Sequence, residues 1–139
     1  MKKKSRLNID WDSLGFDDVP TKSMFQAKCK INGNWSGGKL IPYGNIELSP
    51  AAGVLNYGQG VFEGMKAFCT AKGNKILFRP NKNAERMRFS TKRLCIPEMD
   101  PEFFMDAVLQ TVDDNLDYIP PYGKGSLYIR PIVWGTAPV

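Results

Sequence analysis

The dipeptide Asn32-Gly33 is the feature that most constrains the fold of this 139-residue chain. Asn-Gly after alternating apolar and polar residues is a strong signal for a β-hairpin, because both residues tolerate positive φ. The alternation here runs from Phe25 to Ile31 and reaches the dipeptide without a break. It predicts a strand that ends at the turn and a return strand that begins near Trp35.

Two further extended regions are predicted downstream. The segments Met65–Cys69 and Lys75–Phe78 flank the turn residues Lys72-Gly-Asn and predict a second hairpin. A last strand is predicted over Ser126–Gly135, where Pro131 favours a sheet edge or a bulge because it has no N–H to donate.

Two helices are predicted between these strands. The first starts where Asn81 or Asn83 can cap it, and it runs to about Arg93. The second starts at Asp100, because Asp is a preferred N-cap and Pro101 suits a first helical turn. Hairpins combined with two flanking helices predict an α+β fold with a mostly antiparallel sheet.

The chain is expected to form one domain, residues 21–139, preceded by an N-terminal arm, residues 1–20. Trp11, Leu14 and Phe16 are the apolar residues that we expect to attach this arm to the domain. No apolar stretch approaches the roughly 20 residues of a membrane-spanning helix, and no apolar segment follows the basic start as it does in a secretory signal. We therefore expect neither membrane insertion nor secretion.

The composition excludes several kinds of site. The chain has no histidine, and its three cysteines are widely spaced and form no CxxC pair. Zinc sites of Cys and His, Ser-His-Asp triads and Cys-His dyads are thereby excluded, so we expect no metal and free thiols in a reducing compartment. No nucleic-acid-binding motif accompanies the net charge of +5, so nucleic acid is not an expected partner.

Arg86 is the first candidate for a binding residue. It falls near the start of the first predicted helix, where the helix dipole favours anions over cations. Backbone N–H groups and a guanidinium at such a place can hold a phosphate together. The spacing alone favours a simpler interpretation, in which Arg86 pairs with an acidic residue or faces solvent.

Tyr128 and Arg130 form the second candidate. They are two residues apart in a predicted strand and so project to one face, together with Ile132 and Trp134. Arg supplies charge and Tyr a directional donor, a combination that suits recognition of a small carboxylate. An exposed strand face with an ordinary Arg–Tyr contact explains the same pattern, which by itself favours that explanation.

The stretch 53–68 is the third candidate, because it places four glycines among apolar residues. Glycines allow positive φ and close approach of the backbone to a ligand or another chain. Tyr57 and Phe62 can wall an apolar pocket, whereas Glu63 must reach solvent or meet a cation, since burying an unpaired carboxylate is costly. These residues fit either a pocket wall or a packed subunit contact.

Four segments of the chain carry a resemblance to a known family. They are Asp10-Trp-Asp-Ser-Leu-Gly-Phe, the stretch from Tyr43 to Gly64, Arg79-Pro-Asn-Lys-Asn-Ala-Glu-Arg-Met and Leu127-Tyr-Ile-Arg-Pro. In this order they resemble the N-terminal part of plant-type branched-chain amino acid aminotransferases, over about residues 10–138. These are fold-type IV enzymes that depend on pyridoxal phosphate. The resemblance implies their small α+β domain, and transfer of an amino group between Leu, Ile or Val and 2-oxoglutarate.

The resemblance also implies roles for the candidate residues. Arg86 matches the arginine that binds the phosphate of pyridoxal phosphate. Tyr128 and Arg130 match the pair that holds substrate carboxylates, and Phe62 matches an aromatic residue that packs around the branched side chain. Tyr57 matches a tyrosine near the active site at the dimer contact.

Part of the catalytic machinery of this family is expected to lie outside the chain. The Schiff-base lysine of the family belongs to a larger C-terminal domain that is absent here, so we expect no catalytic residue in this chain. The resemblance therefore implies a substrate- and phosphate-binding small domain that is inactive alone. An alternative is a non-catalytic interaction or regulatory module that pairs with a full-length aminotransferase.

The expected partners are branched-chain amino acids and 2-oxo acids, and the complete enzyme is expected to be a homodimer. No Arg/Ser-rich transit segment precedes Asp10, so the cytoplasm is the default compartment. A plastid or mitochondrial location stays open, because a removed presequence leaves the same mature sequence.

Overall fold

The computed structural model describes residues 7–138, so the basic start of the arm lies outside the described residues. The elements in chain order are β1 Ser23–Gln26, β2 Lys39–Pro42, α1 Gly53–Tyr57, β3 Gly60–Phe62, β4 Met65–Cys69, β5 Lys75–Leu77, α2 Pro80–Arg93, α3 Pro101–Asp114, β6 Leu127–Ile129 and β7 Ile132–Trp134. A 3-10 turn, Leu116–Tyr118, follows α3. The predicted α+β class is confirmed.

The strands form three small sheets, and every strand pair is antiparallel. The first sheet pairs β1 with β2, the second has the order β5-β4-β6, and the third pairs β3 with β7. The hairpin predicted over 65–78 is confirmed as β4 and β5, with Gly73 at φ 85° in the turn between them.

The second and third sheets share one register across a break. Phe62 lies opposite Ile132 and Met65 opposite Ile129, and two residues separate these positions on each strand. At the break, the Glu63 N–H donates to the Pro131 carbonyl over 2.9 Å. Pro131 cannot donate in return, which explains why the single strand predicted over 126–135 is observed as β6 and β7.

The core lies between the second and third sheets and the two long helices. α3 presents one face of buried residues at helical spacing, Phe104, Val108 and Val112, as the sequence predicts. α2 buries Met87 and Thr91, and the Thr91 hydroxyl accepts a hydrogen bond from the Met99 N–H over 2.9 Å. This contact fixes the connection between the helices.

The prediction for the first hairpin is wrong in extent. The strand ends at Gln26, which pairs with Lys39, and residues 27–38 form a loop. A turn does lie at the predicted dipeptide, where Asn32 has φ 62°. Trp35 is in no strand, because its indole packs 6.1 Å from the Phe103 ring and donates to the carbonyl of Pro97.

The prediction for the cap of α2 is also wrong. The N-cap is Arg79, in a left-handed conformation at φ 48°, and no side chain caps the helix. Asn83 lies inside α2 and donates instead to the Glu63 carboxylate. The prediction for α3 is confirmed, since the Asp100 side chain accepts from the Glu102 N–H.

The described part of the arm is attached by polar contacts more than by its apolar residues. Phe16 is fully exposed, so the expectation that it packs on the domain is wrong. An ion pair joins Asp12 to Lys124, and the Tyr43 hydroxyl donates to Asp18 over 3.0 Å.

Candidate functional site

The glycine-rich stretch folds into a short helix and a strand. α1 ends at Tyr57, and Gly58 caps it with φ 63°, a left-handed conformation that glycine adopts without steric cost. β3 follows at once and ends at Phe62. Helix α1 was not predicted, since five residues carry too short a pattern; its Val54 N–H is held by the Gly135 carbonyl from the end of the chain.

Phe62 and Glu63 are adjacent in the chain but differ sharply in burial. The Phe62 side chain is 62% exposed, whereas Glu63 is 2% exposed. Successive residues of an extended chain point to opposite faces. One face therefore carries an accessible aromatic ring, and the other carries a buried carboxylate that packs toward α2.

Glu63 is held by two side chains of α2. Arg86 Nε lies 2.5 Å from Oε1 and Arg86 Nη2 lies 2.6 Å from Oε2, which is a bidentate ion pair. Asn83 Nδ2 adds a hydrogen bond of 2.8 Å to Oε2 and a second, of 3.2 Å, to the carbonyl of Gly64. Of the two possibilities predicted for Glu63, solvent or a cation, the structure shows the cation.

Both members of this pair are ionised at neutral pH. Burial alone raises the pKa of Glu63, but the hydrogen bonds from Arg86 and Asn83 and the positive charge of Arg86 outweigh it. The pKa of Glu63 is consequently lowered. The hydrogen bonds that Arg86 donates to Glu63 also raise the pKa of Arg86.

Arg86 keeps part of its donor set accessible. Its side chain is 66% exposed, and the ion pair with Glu63 uses only Nε and Nη2. A guanidinium has five N–H donors. Within the part of the chain that the structure describes, Nη1 of Arg86 makes no hydrogen bond, so it is available to a further acceptor. Arg86 is the seventh residue of α2, about 9 Å along the axis from the first. Arg86 thus lies in the second turn of α2, and its observed partner is the Glu63 carboxylate.

Tyr128 and Arg130 form a second arrangement on the exposed face. The Tyr128 hydroxyl accepts from Arg130 Nε over 3.1 Å and from Nη2 over 2.8 Å. The guanidinium carbon lies 4.4 Å from the centre of the Phe62 ring and 5.1 Å from that of the Tyr128 ring. Within residues 7–138, no carboxylate forms an ion pair with Arg130. The Arg130 guanidinium is thus held in its orientation by neutral groups, the Tyr128 hydroxyl and two aromatic rings.

Gly64 allows the Tyr128 hydroxyl to lie where it does. A Cβ added at Gly64 would be 2.5 Å from the hydroxyl oxygen, closer than real contacts. The sequence predicted close approach of a ligand or another chain at the glycines of this stretch, whereas the atom that approaches Gly64 is the Tyr128 hydroxyl oxygen of the same chain. The missing side chain of Gly64 thereby contributes to the position of Arg130.

The structure brings together three of the five candidate residues, since Phe62, Tyr128 and Arg130 contact one another. Arg86 is separate from them and pairs with Glu63. Tyr57 is 74% exposed at the end of α1 and, among the described residues, makes no side-chain hydrogen bond or ring contact. It stands apart from both groups.

Sequence reasoning missed one residue of the site, Asn83, which was expected to be a cap. The signal that could have found it is its spacing, because residues three apart on a helix lie on one face. Asn83 and Arg86 therefore reach the same carboxylate. No helix in the described part of the chain is long and apolar enough to cross a membrane. Nor does that part contain a cluster of Cys, Asp and Glu that could hold a metal ion.

Comparison with known proteins gives the chain its relatives. No protein-family model matches it. It is 54% identical over 132 residues to "Branched-chain amino acid aminotransferase 2, chloroplastic" of Humulus lupulus, a match that covers 95% of this chain and 32% of the relative. It is 52% identical over 132 residues to "Branched-chain amino acid aminotransferase 1, mitochondrial" of the same plant, covering 95% of this chain and 34% of the relative.

The chain is homologous to the branched-chain aminotransferases. It spans about a third of the length of the curated relatives that it matches.

Solved branched-chain aminotransferases share its fold. The enzyme from the thermophilic archaeon Thermoproteus uzoniensis, solved with norvaline, matches with a TM-score of 0.61 and 30% identity over 84% of this chain and 35% of that one. The T.th. enzyme complexed with N-(5'-phosphopyridoxyl)-L-glutamate matches with a TM-score of 0.60 and 28% identity over 88% of this chain and 36% of that one. The expected small domain of fold-type IV aminotransferases is confirmed.

The donors in this chain fit a phosphorylated cofactor and a carboxylate substrate. Arg86 offers its Nη1 edge to a doubly charged oxyanion, although Glu63 already binds the other edge. Arg130 offers a charge that no carboxylate of the described residues neutralises. Both guanidiniums therefore have donors left for an anionic ligand.

Proposed function

We propose that this chain is the small domain of a branched-chain aminotransferase, which moves an amino group between Leu, Ile or Val and 2-oxoglutarate with pyridoxal phosphate. The observation that carries the proposal is the Arg130 guanidinium, held by the Tyr128 hydroxyl against the Phe62 ring and paired with no carboxylate of residues 7–138. An exposed cation in a fixed orientation beside an apolar ring suits a ligand with a carboxylate and a hydrocarbon side chain.

Each residue has one task in this proposal. Arg130 binds the substrate carboxylate, and Tyr128 orients Arg130 through the hydroxyl that accepts from Nε and Nη2. Phe62 contacts the branched side chain of the substrate. Packing against the ring removes apolar surface of that side chain from water, which favours binding. Tyr57, exposed at the end of α1, packs at the contact with a second subunit.

Arg86 binds the cofactor phosphate in this proposal. When bound, pyridoxal phosphate supplies the electron sink that lets an amino group leave one carbon skeleton and join another. The contribution of this chain is to grip the phosphate through Nη1 of Arg86 and to position the substrate carboxylate at Arg130. In this proposal none of the lysines of this chain takes the Schiff-base position, so the chain alone does not catalyse amino-group transfer.

Titration with the 2-oxo acid of leucine tests the carboxylate site. We expect shifts of the Phe62, Tyr128 and Arg130 signals in NMR spectra of the full chain. Arg130→Gln should weaken binding at least about tenfold, because a charge-assisted hydrogen bond contributes about 1.5–3 kcal/mol. Lys75→Gln, which removes a cation from exposed strand β5, is the matched control and should bind as the parent chain does. Equal binding by the parent and Arg130→Gln chains would reject the proposal.

A turnover assay tests the second part of the proposal. The full chain, mixed with leucine, 2-oxoglutarate and pyridoxal phosphate, should give no 4-methyl-2-oxopentanoate above the background of the free cofactor. Turnover that Arg86→Gln abolishes would show that the chain is active by itself.

A role as a non-catalytic module is the second candidate. It is favoured by the large apolar side chains that α1 and α2 leave exposed, among them Leu55, Tyr57 and Phe89. A pull-down with a full-length branched-chain aminotransferase, in which Tyr57→Ser lowers recovery, would support this role or the subunit contact of the first proposal. Binding of the 2-oxo acid at Arg130 separates the two, because only the first requires it.

The compartment follows the relatives in this proposal. The two Humulus lupulus relatives are named chloroplastic and mitochondrial. We therefore propose a plastid or mitochondrial location ahead of the cytoplasmic default, to be checked by imaging a fluorescent fusion of the natural gene product.

A further inference from the structure

Glu63 is the most buried charged group of the described chain, and nothing in the proposed chemistry uses it. It does not face the exposed side of β3, where Phe62 lies. Its carboxylate is instead filled by donors from α2, Nε and Nη2 of Arg86 and Nδ2 of Asn83. Burying a carboxylate is costly unless it is paired and hydrogen-bonded, and here both conditions are met.

The geometry points to a positioning role: we infer that Glu63 and Asn83 fix the Arg86 guanidinium so that its Nη1 edge faces a bound phosphate. This inference rests on the proposed function, since it concerns the same phosphate site. A long exposed arginine side chain samples many rotamers, and ordering it on binding weakens affinity. Two hydrogen bonds to a rigid buried carboxylate order the guanidinium before the ligand arrives.

The rigidity of Glu63 has two sources. Its backbone N–H is bound to the Pro131 carbonyl over 2.9 Å, which holds it in the shared register of β3 and β7. Asn83 lies three residues before Arg86 on α2 and binds both Oε2 of Glu63 and the carbonyl of Gly64. Strand and helix are therefore joined on either side of the carboxylate.

Simple electrostatics makes the opposite prediction, and this makes the inference testable. A negative charge 2.5 Å from Arg86 lowers the local positive potential, so removing it should strengthen the binding of an anion. A positioning role requires that removing it weakens binding. Glu63→Gln is nearly isosteric and separates the two effects by their sign.

The experiment is a titration of the full chain with pyridoxamine 5'-phosphate, followed by NMR, with inorganic phosphate as a second probe. This amine has no aldehyde that could react with surface lysines. We expect Glu63→Gln to weaken binding by about tenfold, the effect of leaving one long side chain unordered. Glu85→Gln, an exposed residue of α2 paired with Lys82, is the matched control and should bind slightly tighter or unchanged.

A second variant and a second signal guard against misfolding of Glu63→Gln. Asn83→Ala keeps the ion pair but removes the amide that holds Oε2, and it should weaken binding about threefold, a smaller loss of order. The Arg86 Nε–H should exchange slowly with water in the parent chain and rapidly in Glu63→Gln. If Glu63→Gln folds, tighter or unchanged binding by this variant overturns the inference. If Glu63→Gln does not fold, unchanged binding by Asn83→Ala overturns it.

The outcome for Arg86→Gln keeps this inference distinct from the proposed function. If Arg86→Gln binds the phosphate probe as tightly as the parent chain, the phosphate site itself is wrong. If Arg86→Gln loses binding while Glu63→Gln retains it, the site stands and only the positioning role fails.

Discussion

The two arginines of the site differ in what holds them. Arg86 is bound to a buried carboxylate through two nitrogens, whereas Arg130 is bound to a tyrosine hydroxyl and lies over two aromatic rings. The charge of Arg86 is balanced by the Glu63 carboxylate, whereas Arg130 pairs with no carboxylate of residues 7–138. A balanced arginine contributes fixed direction to ligand binding, and an unbalanced one contributes net charge.

This difference predicts different costs for the same substitution. Arg86→Gln leaves the Glu63 carboxylate buried and short of its cation, so we expect it to lower the free energy of unfolding clearly more than Arg130→Gln does. Arg130→Gln leaves no buried charge unpaired, so it should change the free energy of unfolding by less than about 0.5 kcal/mol. Urea denaturation at neutral pH measures both.

Arg88→Gln is the matched control, because Arg88 lies on the same helix and pairs with Glu98 at the surface. An exposed pair contributes about 0–1 kcal/mol. A result in which Arg86→Gln costs no more than Arg88→Gln would remove the contrast between the two arginines.

Acidification offers a second and smaller effect. Because the folded pKa of Glu63 is lowered, its contribution is complete above its ordinary value of 4.5 and is lost as the pH falls through the folded pKa. Stability should therefore decline below about pH 4.5, and Glu63→Gln should decline less steeply. Thermal unfolding from pH 7 to pH 3 measures the difference between the two chains.

Three other carboxylates also have lowered pKa values, Asp10, Glu98 and Asp114, and they are the same in both chains. The difference between parent and Glu63→Gln isolates the one proton of interest. Parallel pH profiles for the two chains would show that Glu63 gains no stability from its partners.

Gly64→Ala should give the smallest effect and reach only the second arginine. The added Cβ displaces the Tyr128 hydroxyl, a side-chain end that can rotate away, so stability should change by less than about 1 kcal/mol. Arg130 loses its orienting acceptor, and the 2-oxo acid should bind about threefold more weakly with phosphate binding unchanged. Gly44→Ala, where an added Cβ meets no atom within 4 Å and the backbone is not left-handed, controls for adding a methyl group elsewhere. Unaltered 2-oxo acid binding in Gly64→Ala would show that Tyr128 does not orient Arg130.

The sequence predicted best the elements whose causes are local. The β4–β5 hairpin follows from its turn residues, and α3 follows from Asp100 and the residues after it. The predicted stripe is observed at Tyr128, Arg130 and Ile132, which are exposed, whereas its fourth member, Trp134, is half-buried.

The elements that sequence reasoning missed depend on contacts between distant residues. Trp35 leaves the predicted strand to reach the Pro97 carbonyl, and Asn83 leaves the cap position to reach Glu63, 20 residues away. No pattern within a short window records such partners. The phosphate and carboxylate roles of the two arginines came from the family resemblance and stay predictions, whereas the ion pair of Arg86 was the simpler interpretation of its position.

The alternation at Phe62 and Glu63 has a consequence for how such a domain diversifies. Any side chain at position 62 changes the accessible face and leaves the buried pair of Glu63 and Arg86 intact. Under the proposed function, substrate preference can drift by point mutation while the proposed phosphate contact of Arg86 is unaffected. A single inserted residue here would exchange the two faces and disrupt both the Phe62 contact and the Glu63–Arg86 pair. Evolution of this segment should therefore tolerate replacement and reject changes of length.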